Sequence, residues 1–448
     1  MTSVTASLDR LFALGARGTS VGREILAGCT TFAAMAYILA VNPAIMAAAG
    51  MDRGDLVVAT GLASLFGSVL IGLMANLPLA AAPAMGSNIV FSVVLVGQMG
   101  IPWPAGLAMV LITGVLFLAL SLSRIRGRIA REVPETLKVA IRAAVGMLIV
   151  FIALRGAGFV VASPGSLLTM GSLAQPPVLL TLAGLLLTPV LVIRRVPGAL
   201  VLSIAAMTVA GLFVDDAQGH PLTRLPRSVF AWPHWPASTA LHLDFGYVAS
   251  HVLLTLPLMF YFFCSEFFST LGTVIGVTGA AGLRGPDGAI PNATRVFAAD
   301  ALSTIAGPLL GTSVVTIYIE SVTGVQAGGR TGLTALVTGL CFLLALFLWP
   351  LFVVIPPQAT APALLVVGVL MLQGLARIDL TDLHNAVPVT LTLLITVLTN
   401  NLINGMALGT LSLILLRIAA GQAREVGPVL WGLGAVFVLF LAAATHLP

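Results

Sequence analysis

The chain has 448 residues, of which 58% are hydrophobic and only 8% charged, with 21 Lys and Arg against 16 Asp and Glu and a mean hydropathy of +1.08. Ordinary globular domains are nearer a quarter charged, so the composition excludes a soluble enzyme. At about 20 apolar residues per crossing, the length accommodates roughly a dozen or more membrane spans. The net charge of +5 lies in short loops between apolar runs, where basic residues set topology rather than bind nucleic acid.

Residues 1–24 carry Arg10, Arg17 and Arg23 without an apolar core and small-residue cleavage site, which reads as a cytoplasmic N-terminus and no signal peptide. Apolar runs then follow at 25–47, 57–75, 79–95, 103–122, 135–154, 176–193, 197–214, 246–277, 293–309, 312–326, 331–355, 359–375, 386–400 and 402–417. That gives fourteen segments, and 427–446 adds a terminal one. The third and tenth are short and interrupted by Gly, Pro, Ser and Thr; 386–417 is either two short helices or one broken hairpin.

With the N-terminus inside, the cytoplasmic loops gather Arg124, Arg126, Arg128, Arg131, Lys138, Arg194, Arg195, Arg284, Arg295, Arg330, Arg377, Arg417 and Arg424, while Arg53, Arg155, Arg224 and Arg227 fall outside. Such a bias fixes orientation. The polar stretch Asp215 to Asp244 then lies outside, and its Trp232 and Trp235 suit an interfacial cap. Thr113-Gly114-Val115-Leu116-Phe117-Leu118 recurs as Thr338-Gly339-Leu340-Cys341-Phe342-Leu343 almost half the chain later. Seven segments per half is odd, so the halves insert with opposite topology and the two interrupted segments become equivalent. This is the pattern of an inverted-repeat transporter with its site at the midplane.

An ionisable residue inside a span is a candidate for function. Glu266 stands mid-segment in the eighth run, with Ser269, Thr270 and Thr273 on the following turns. In the tenth, Val314-Val315-Thr316-Ile317 favours extended backbone, and Glu320 then opens a short helix, where a carboxylate is favoured. The third offers Gly86 for close approach and Ser87 or Asn88 to cap a half-helix or meet a ligand. Asp300 is a candidate for a proton path; Arg142, Arg155 and His251 read as interfacial or structural. Cys29, Cys264 and Cys341 lie in apolar runs with no metal-binding spacing, and read as packing residues. No cofactor or metal motif is present. Two carboxylates and an amide in an apolar pocket suit a flat neutral ligand with N–H groups to donate, on which Phe91, Phe267 or Phe268 could stack.

Residues 26–43 (Leu-Ala-Gly-Cys-Thr-Thr-Phe-Ala-Ala-Met-Ala-Tyr-Ile-Leu-Ala-Val-Asn-Pro), Ala84-Met85-Gly86-Ser87-Asn88, Thr270-Leu271-Gly272-Thr273, Thr316-Ile317-Tyr318-Ile319-Glu320-Ser321, Ala327-Gly328-Gly329-Arg330-Thr331-Gly332-Leu333-Thr334 and Ala359-Thr360-Ala361-Pro362-Ala363-Leu364 together resemble the adenine/guanine/hypoxanthine permease branch of the nucleobase:cation symporter-2 superfamily. The likeness runs in order from about residue 20 to 420. It implies an all-α polytopic fold of fourteen segments in a 7+7 inverted repeat, with short strand and half-helix pieces in segments three and ten. A core domain (25–122 and 246–355) would work against a gate domain (135–214 and 359–417), with 215–245 an extracytoplasmic loop and 418–448 a C-terminal hydrophobic segment.

The function implied is proton-coupled import of purine nucleobases across the inner membrane by a homodimer that is not an enzyme. Glu266, Glu320, Asn88, Gly86, Phe267, Ser269 and Thr316 would meet the base, and Glu266 and Asp300 would carry the proton. Two positions depart from the pattern: Asp-Leu-Phe-Asp-Thr-Leu-Gly-Thr is here Glu266-Phe267-Phe268-Ser269-Thr270-Leu271-Gly272-Thr273, and a late Ala-Asp-Gly is Ile403-Asn404-Gly405. The alternatives left open are a uracil- or xanthine-preferring permease, sodium coupling, and an anion exchanger or channel on the same architecture.

Overall fold

The computed structural model describes residues 3–123, 134–163, 167–216, 218–226, 228–285 and 289–444. Arg124, Arg126, Arg128, Arg131 and Arg227 lie outside the described residues. After the short helix α1 (Ser3–Phe12), the first apolar run forms α2 (Val21–Met35) and α3 (Ile38–Met46), broken at Ala36 and Tyr37. The Asp52 side chain then caps α4 (Arg53–Ala75). A three-residue strand, β1 (Ala81–Pro83), leads into α5 (Met85–Ile89), which continues as wider π-helical turns to Gln98. Next come α6 (Trp103–Leu122), α7 (Glu135–Gly156), the hairpin β2 (Val160–Ser163) and β3 (Leu167–Met170), α8 (Pro176–Ile193) and α9 (Ala199–Ala210).

The second half comprises α10 (Phe245–Ser250), α11 (Val252–Ala280), α12 (Ala293–Leu309), β4 (Val315–Ile317), α13 (Ser321–Gln326), α14 (Gly332–Ala345), α15 (Trp349–Val353), α16 (Pro357–Leu372), α17 (Leu383–Leu398), α18 (Leu402–Ala419) and α19 (Pro428–Ala444). Proline opens α8, α16 and α19 at their first helical position, where its missing N–H costs nothing. Among the described residues, nine helical stretches are long and apolar enough to cross a membrane; Met85–Gln98, Ala199–Ala210, Leu383–Leu398 and Pro428–Leu439 are shorter apolar helices.

The structure refines three of the sequence expectations. The run 246–277 is divided at His251, between α10, capped by Asp244, and the 29-residue α11. The run 331–355 bends after Ala345 and restarts at Trp349-Pro350. The ambiguous 386–417 is two helices, turned by Asn400 in the left-handed conformation (φ 52°), with the Asn401 side chain accepting from the N–H groups of Ile403 and Asn404.

Small residues set how closely the helices pack. A Cβ on Gly146 would stand 2.7 Å from the Gly368 carbonyl oxygen, and one on Gly368 would stand 2.6 Å from that of Gly146, so α7 and α16 meet backbone to backbone. The feature that positions the site joins the two halves: β1 pairs antiparallel with β4, with Ala81 opposite Ile317, Ala82 opposite Thr316 and Pro83 opposite Val315. All six residues are buried. Extended backbone at such depth persists only where protein or a cavity satisfies it; here Ser68 donates to the Ala81 carbonyl, Thr304 to that of Val315, and the Ala80 N–H goes to Ser321.

The loop after α9 is tied back onto the core. His234 Nε2 lies 2.7 Å from Asp55 Oδ1, and both the N–H and the hydroxyl of Ser238 donate to Asp55 Oδ2. Trp232 and Trp235 stand largely exposed.

Candidate functional site

The antiparallel pairing of β1 with β4 sets the two short helices that follow the strands, α5 and α13, at opposite ends of one buried pair. Glu320 is the residue before α13, and its Oε1 accepts from the hydroxyl of Tyr37 at 2.7 Å. Tyr37 is fully buried at the break between α2 and α3. Next to it, the Tyr318 hydroxyl donates to the Pro83 carbonyl at 2.5 Å, closing the end of the strand pair. Glu320 thus has its Oε1 held, and its side chain is only partly buried.

The second carboxylate group lies on the other side of β4. Glu266, buried in α11, has its Oε1 3.4 Å from the hydroxyl of Thr270, one turn further on. The same Thr270 hydroxyl is hydrogen-bonded to Asp300 of α12 and stands 3.3 Å from the Thr316 hydroxyl on β4. Two carboxylates therefore share one threonine, which has a single O–H to give. Glu266 Oε2 and Asp300 Oδ1 are left buried without a donor among the described residues. A buried acceptor in that state is unfavourable by about 1–3 kcal/mol, and either an added proton or a ligand N–H relieves it.

On α5, Asn88 is fully buried and its Nδ2 donates to Asn42 Oδ1 at 2.5 Å, while Asn88 Oδ1 has no donor among the described residues. The Ser87 hydroxyl lies 3.3 Å from that of Ser265, one residue before Glu266. Neither Ser87 nor Asn88 caps the half-helix as the sequence suggested: both lie inside α5, and the cap position is Ala84, which offers no side-chain bond. Gly86 does allow close approach, and the neighbour is α7, since a Cβ there would stand 2.6 Å from Val145 Cγ1.

Thus Glu266, Asp300 and Thr316 form one cluster bonded through Thr270, while Glu320 is bonded to Tyr37 after β4 and Asn88 to Asn42 on α5. Two sequence-proposed residues stand apart. Phe267 packs among Phe117, Phe263 and Phe297, with ring centroids 6.1 to 6.2 Å away, so its ring is core rather than a stacking surface. That follows from helical spacing, which turns position 267 away from the face carrying 266 and 270. Ser269 is half-buried, and its hydroxyl takes no part in the Glu266–Thr270–Asp300 contacts. Arg142 donates to the Phe268 carbonyl at 3.4 Å, and His251 stacks on Tyr247 with centroids 4.2 Å apart. Arg155 is exposed in the last turn of α7.

Tyr37 and Asn42 were not singled out from the sequence, although a phenol and an amide inside an apolar span were the signal. Tyr37→Phe keeps the ring and removes the bond that orients Glu320. The expected result is a folded protein with ligand affinity or uptake KM weakened about tenfold, the size of one hydrogen bond to a charged group; an unchanged KM would separate Tyr37 from the site. No group of three or more His, Cys, Asp or Glu with metal-binding geometry occurs among the described residues.

The chain is a multi-pass helical membrane protein whose halves meet in a buried strand pair, with acids inside its spans. The fold matches that of the transmembrane domain of a cyanobacterial bicarbonate transporter, BicA, with a TM-score of 0.62 at 18% identity, covering 86% of this chain and 96% of that one. The chain belongs to the Permease family (Xan_ur_permease), whose model matches residues 22–408, and it is accordingly a permease and not an enzyme. It is 38% identical to the adenine permease AdeP of Escherichia coli over 98% of this chain and 96% of that protein. It is also 38% identical to the guanine/hypoxanthine permease PbuG of Bacillus subtilis, over 94% and 97% respectively.

Proposed function

We propose that this permease carries purine nucleobases (adenine, guanine or hypoxanthine) into the cell with protons, across the inner membrane. The observation that carries the reading is the buried β1–β4 pair, whose Thr316 joins the Glu266–Thr270–Asp300 cluster, in a chain 38% identical to adenine and guanine/hypoxanthine permeases; Asn88 and Glu320, on the segments that continue the two strands, are assigned to the same site. Acceptors predominate there, and a purine brings ring and exocyclic N–H groups that only acceptors can satisfy. Glu266, Glu320, Asn88, Gly86 and Thr316 are assigned to the base. Glu266 and Asp300 are assigned to the proton, which supplies the donor that Thr270 cannot give to both.

The mechanism proposed is alternating access of a core domain (25–122 and 246–355) against a gate domain (135–214 and 359–417), with fourteen segments in a 7+7 inverted repeat and two copies in a dimer. Supporting the repeat are the antiparallel pairing of strands from the two halves and the reciprocal approach of Gly146 and Gly368. The anion-exchanger alternative has the fold alone in its favour.

The division into core and gate has its own test. Cys29 of α2 and Cys341 of α14 have sulfurs 4.0 Å apart, and both belong to the core as assigned. Oxidative cross-linking of this pair is expected to leave uptake unchanged, because the two helices travel together; loss of uptake on cross-linking would contradict the assigned division. Function itself is tested by uptake of radiolabelled adenine, guanine and hypoxanthine in cells lacking their own purine permeases. Saturable uptake of at least one base, lost with Glu320→Gln, is expected; no uptake by an expressed, membrane-inserted protein would overturn the proposal.

A further inference from the structure

Hydrogen-bond direction can be followed through a buried chain of four side chains that ends at the site. The Thr60 hydroxyl donates to the Leu56 carbonyl at 2.6 Å, so toward Asn42 it can only accept. Asn42 must therefore turn its amino group to Thr60, at 2.8 Å, and that same nitrogen reaches Thr312 at 3.1 Å. Both of its N–H groups are then used, and Asn42 Oδ1 points to Asn88. With an acceptor facing it at 2.5 Å, Asn88 has to present its amino group there, because the reversed amide would set two carbonyl oxygens against each other. Asn42, Thr60, Asn88 and Thr312 are all fully buried, so water does not offer an easy alternative. The end of Asn88 left over is Oδ1, an acceptor with no donor among the described residues.

We infer that Asn42 is a positioning residue that fixes which end of the Asn88 amide faces the ligand, and so selects bases that bring an N–H donor to that point. The inference rests on the nucleobase reading above and adds to it a residue outside the ligand's reach that sets specificity. Asn42 lies one residue before Pro43 in α3, on the first span, while Asn88 and Thr312 belong to the segments flanking the strand pair. A change in the first span is thus transmitted to the ligand through a single amide.

The test is equilibrium binding to the purified full-length protein of adenine, guanine and hypoxanthine, each with its singly N-methylated analogues. In the wild type, methylating the N–H that Asn88 accepts should weaken binding about tenfold or more. In Asn42→Leu, where the amide is free to turn, that ratio should fall at least about fivefold, while the ratios at N–H groups taken by carboxylates stay as they were. On an Asn88→Leu background, Asn42→Leu should weaken binding no further. Thr60→Val, which removes the acceptor that orients Asn42 with little change of shape, should shift the same ratio in the same direction, and it stands in if Asn42→Leu fails to fold. Methylation ratios unchanged at every position in the folded variants, with the parent base still bound, would overturn the role of Asn42 alone. Failure of the wild type to bind any of the three bases would overturn the nucleobase reading, and this inference with it.

Discussion

Asp300→Asn is expected to leave a protein that still binds its base but no longer accumulates it against a gradient, and whose uptake no longer rises as external pH falls. Glu266→Gln should lose both binding and accumulation. The difference follows from how the two carboxylates share Thr270. Its one O–H lies between Glu266 and Asp300, and Glu266 Oε2 and Asp300 Oδ1 have no donor among the described residues. A proton arriving at the pair completes the missing hydrogen bond and removes a charge from the interior of the membrane, where an unpaired ion is unfavourable by at least a few kcal/mol. An asparagine at 300 supplies the missing N–H permanently and abolishes the need for the proton, while Glu266 still accepts from the base. A glutamine at 266 removes the ionised acceptor itself, worth about 1.5–3 kcal/mol or roughly ten- to 150-fold in affinity. Uptake measured across external pH, with a protonophore as control, checks both; variants that keep the wild-type pH dependence would contradict proton coupling through this pair.

The carboxylates were legible in the sequence because charge is so scarce in this chain: Glu266, Asp300 and Glu320 stand out in apolar runs, and membrane burial makes each an expensive choice. The extended tenth segment was legible too, because Val314 to Ile317 is a β-branched run after Gly311, and β4 forms at Val315–Ile317. What the sequence could not give was partnership. Nothing in the spacing of Tyr37, Asn42 and Thr270 indicates that they bond to Glu320, Asn88 and Asp300, since those pairs are separated by 283, 46 and 30 residues and meet only when separate segments pack against each other. Phe267 misled for a related reason. Its neighbour at 266 faces the cluster, but adjacent helical positions point about 100° apart, and 267 falls into the aromatic core.

Glu24→Ala should produce the largest loss of stability among single substitutions away from the site. Glu24 is fully buried in α2, where no apolar pattern calls for an acid, and it accepts from the N–H groups of Arg330, Thr331 and Thr334 and from the hydroxyls of Thr331 and Thr334. It thereby caps α14 from another span, using the opening N–H groups that a helix cannot satisfy itself. Arg17 adds a bond from its guanidinium to the Arg330 carbonyl at 2.9 Å. Removing the carboxylate strands the buried Thr331 N–H and takes an acceptor from the Arg330 and Thr334 N–H groups, and each buried donor left unmet is unfavourable by about 1–3 kcal/mol. The expected outcome is a melting temperature lowered by several degrees in detergent and poor recovery of monodisperse protein. Glu24→Gln, keeping one acceptor oxygen, should fall between. An alanine variant that melts within about one degree of the wild type would show that α14 is held by packing alone.

Ligand-induced thermal shift on the purified protein tests the central claim most directly, with adenine, guanine, hypoxanthine, xanthine and uracil offered to the wild type, Glu266→Gln and Glu320→Gln. A base at about one hundred times its Kd stabilises the folded state by about 2.7 kcal/mol, enough to resolve in the wild type. The account predicts stabilisation by one or two purines that disappears in both variants. A folded wild type that responds to none of the five, or variants that respond as the wild type does, would contradict it.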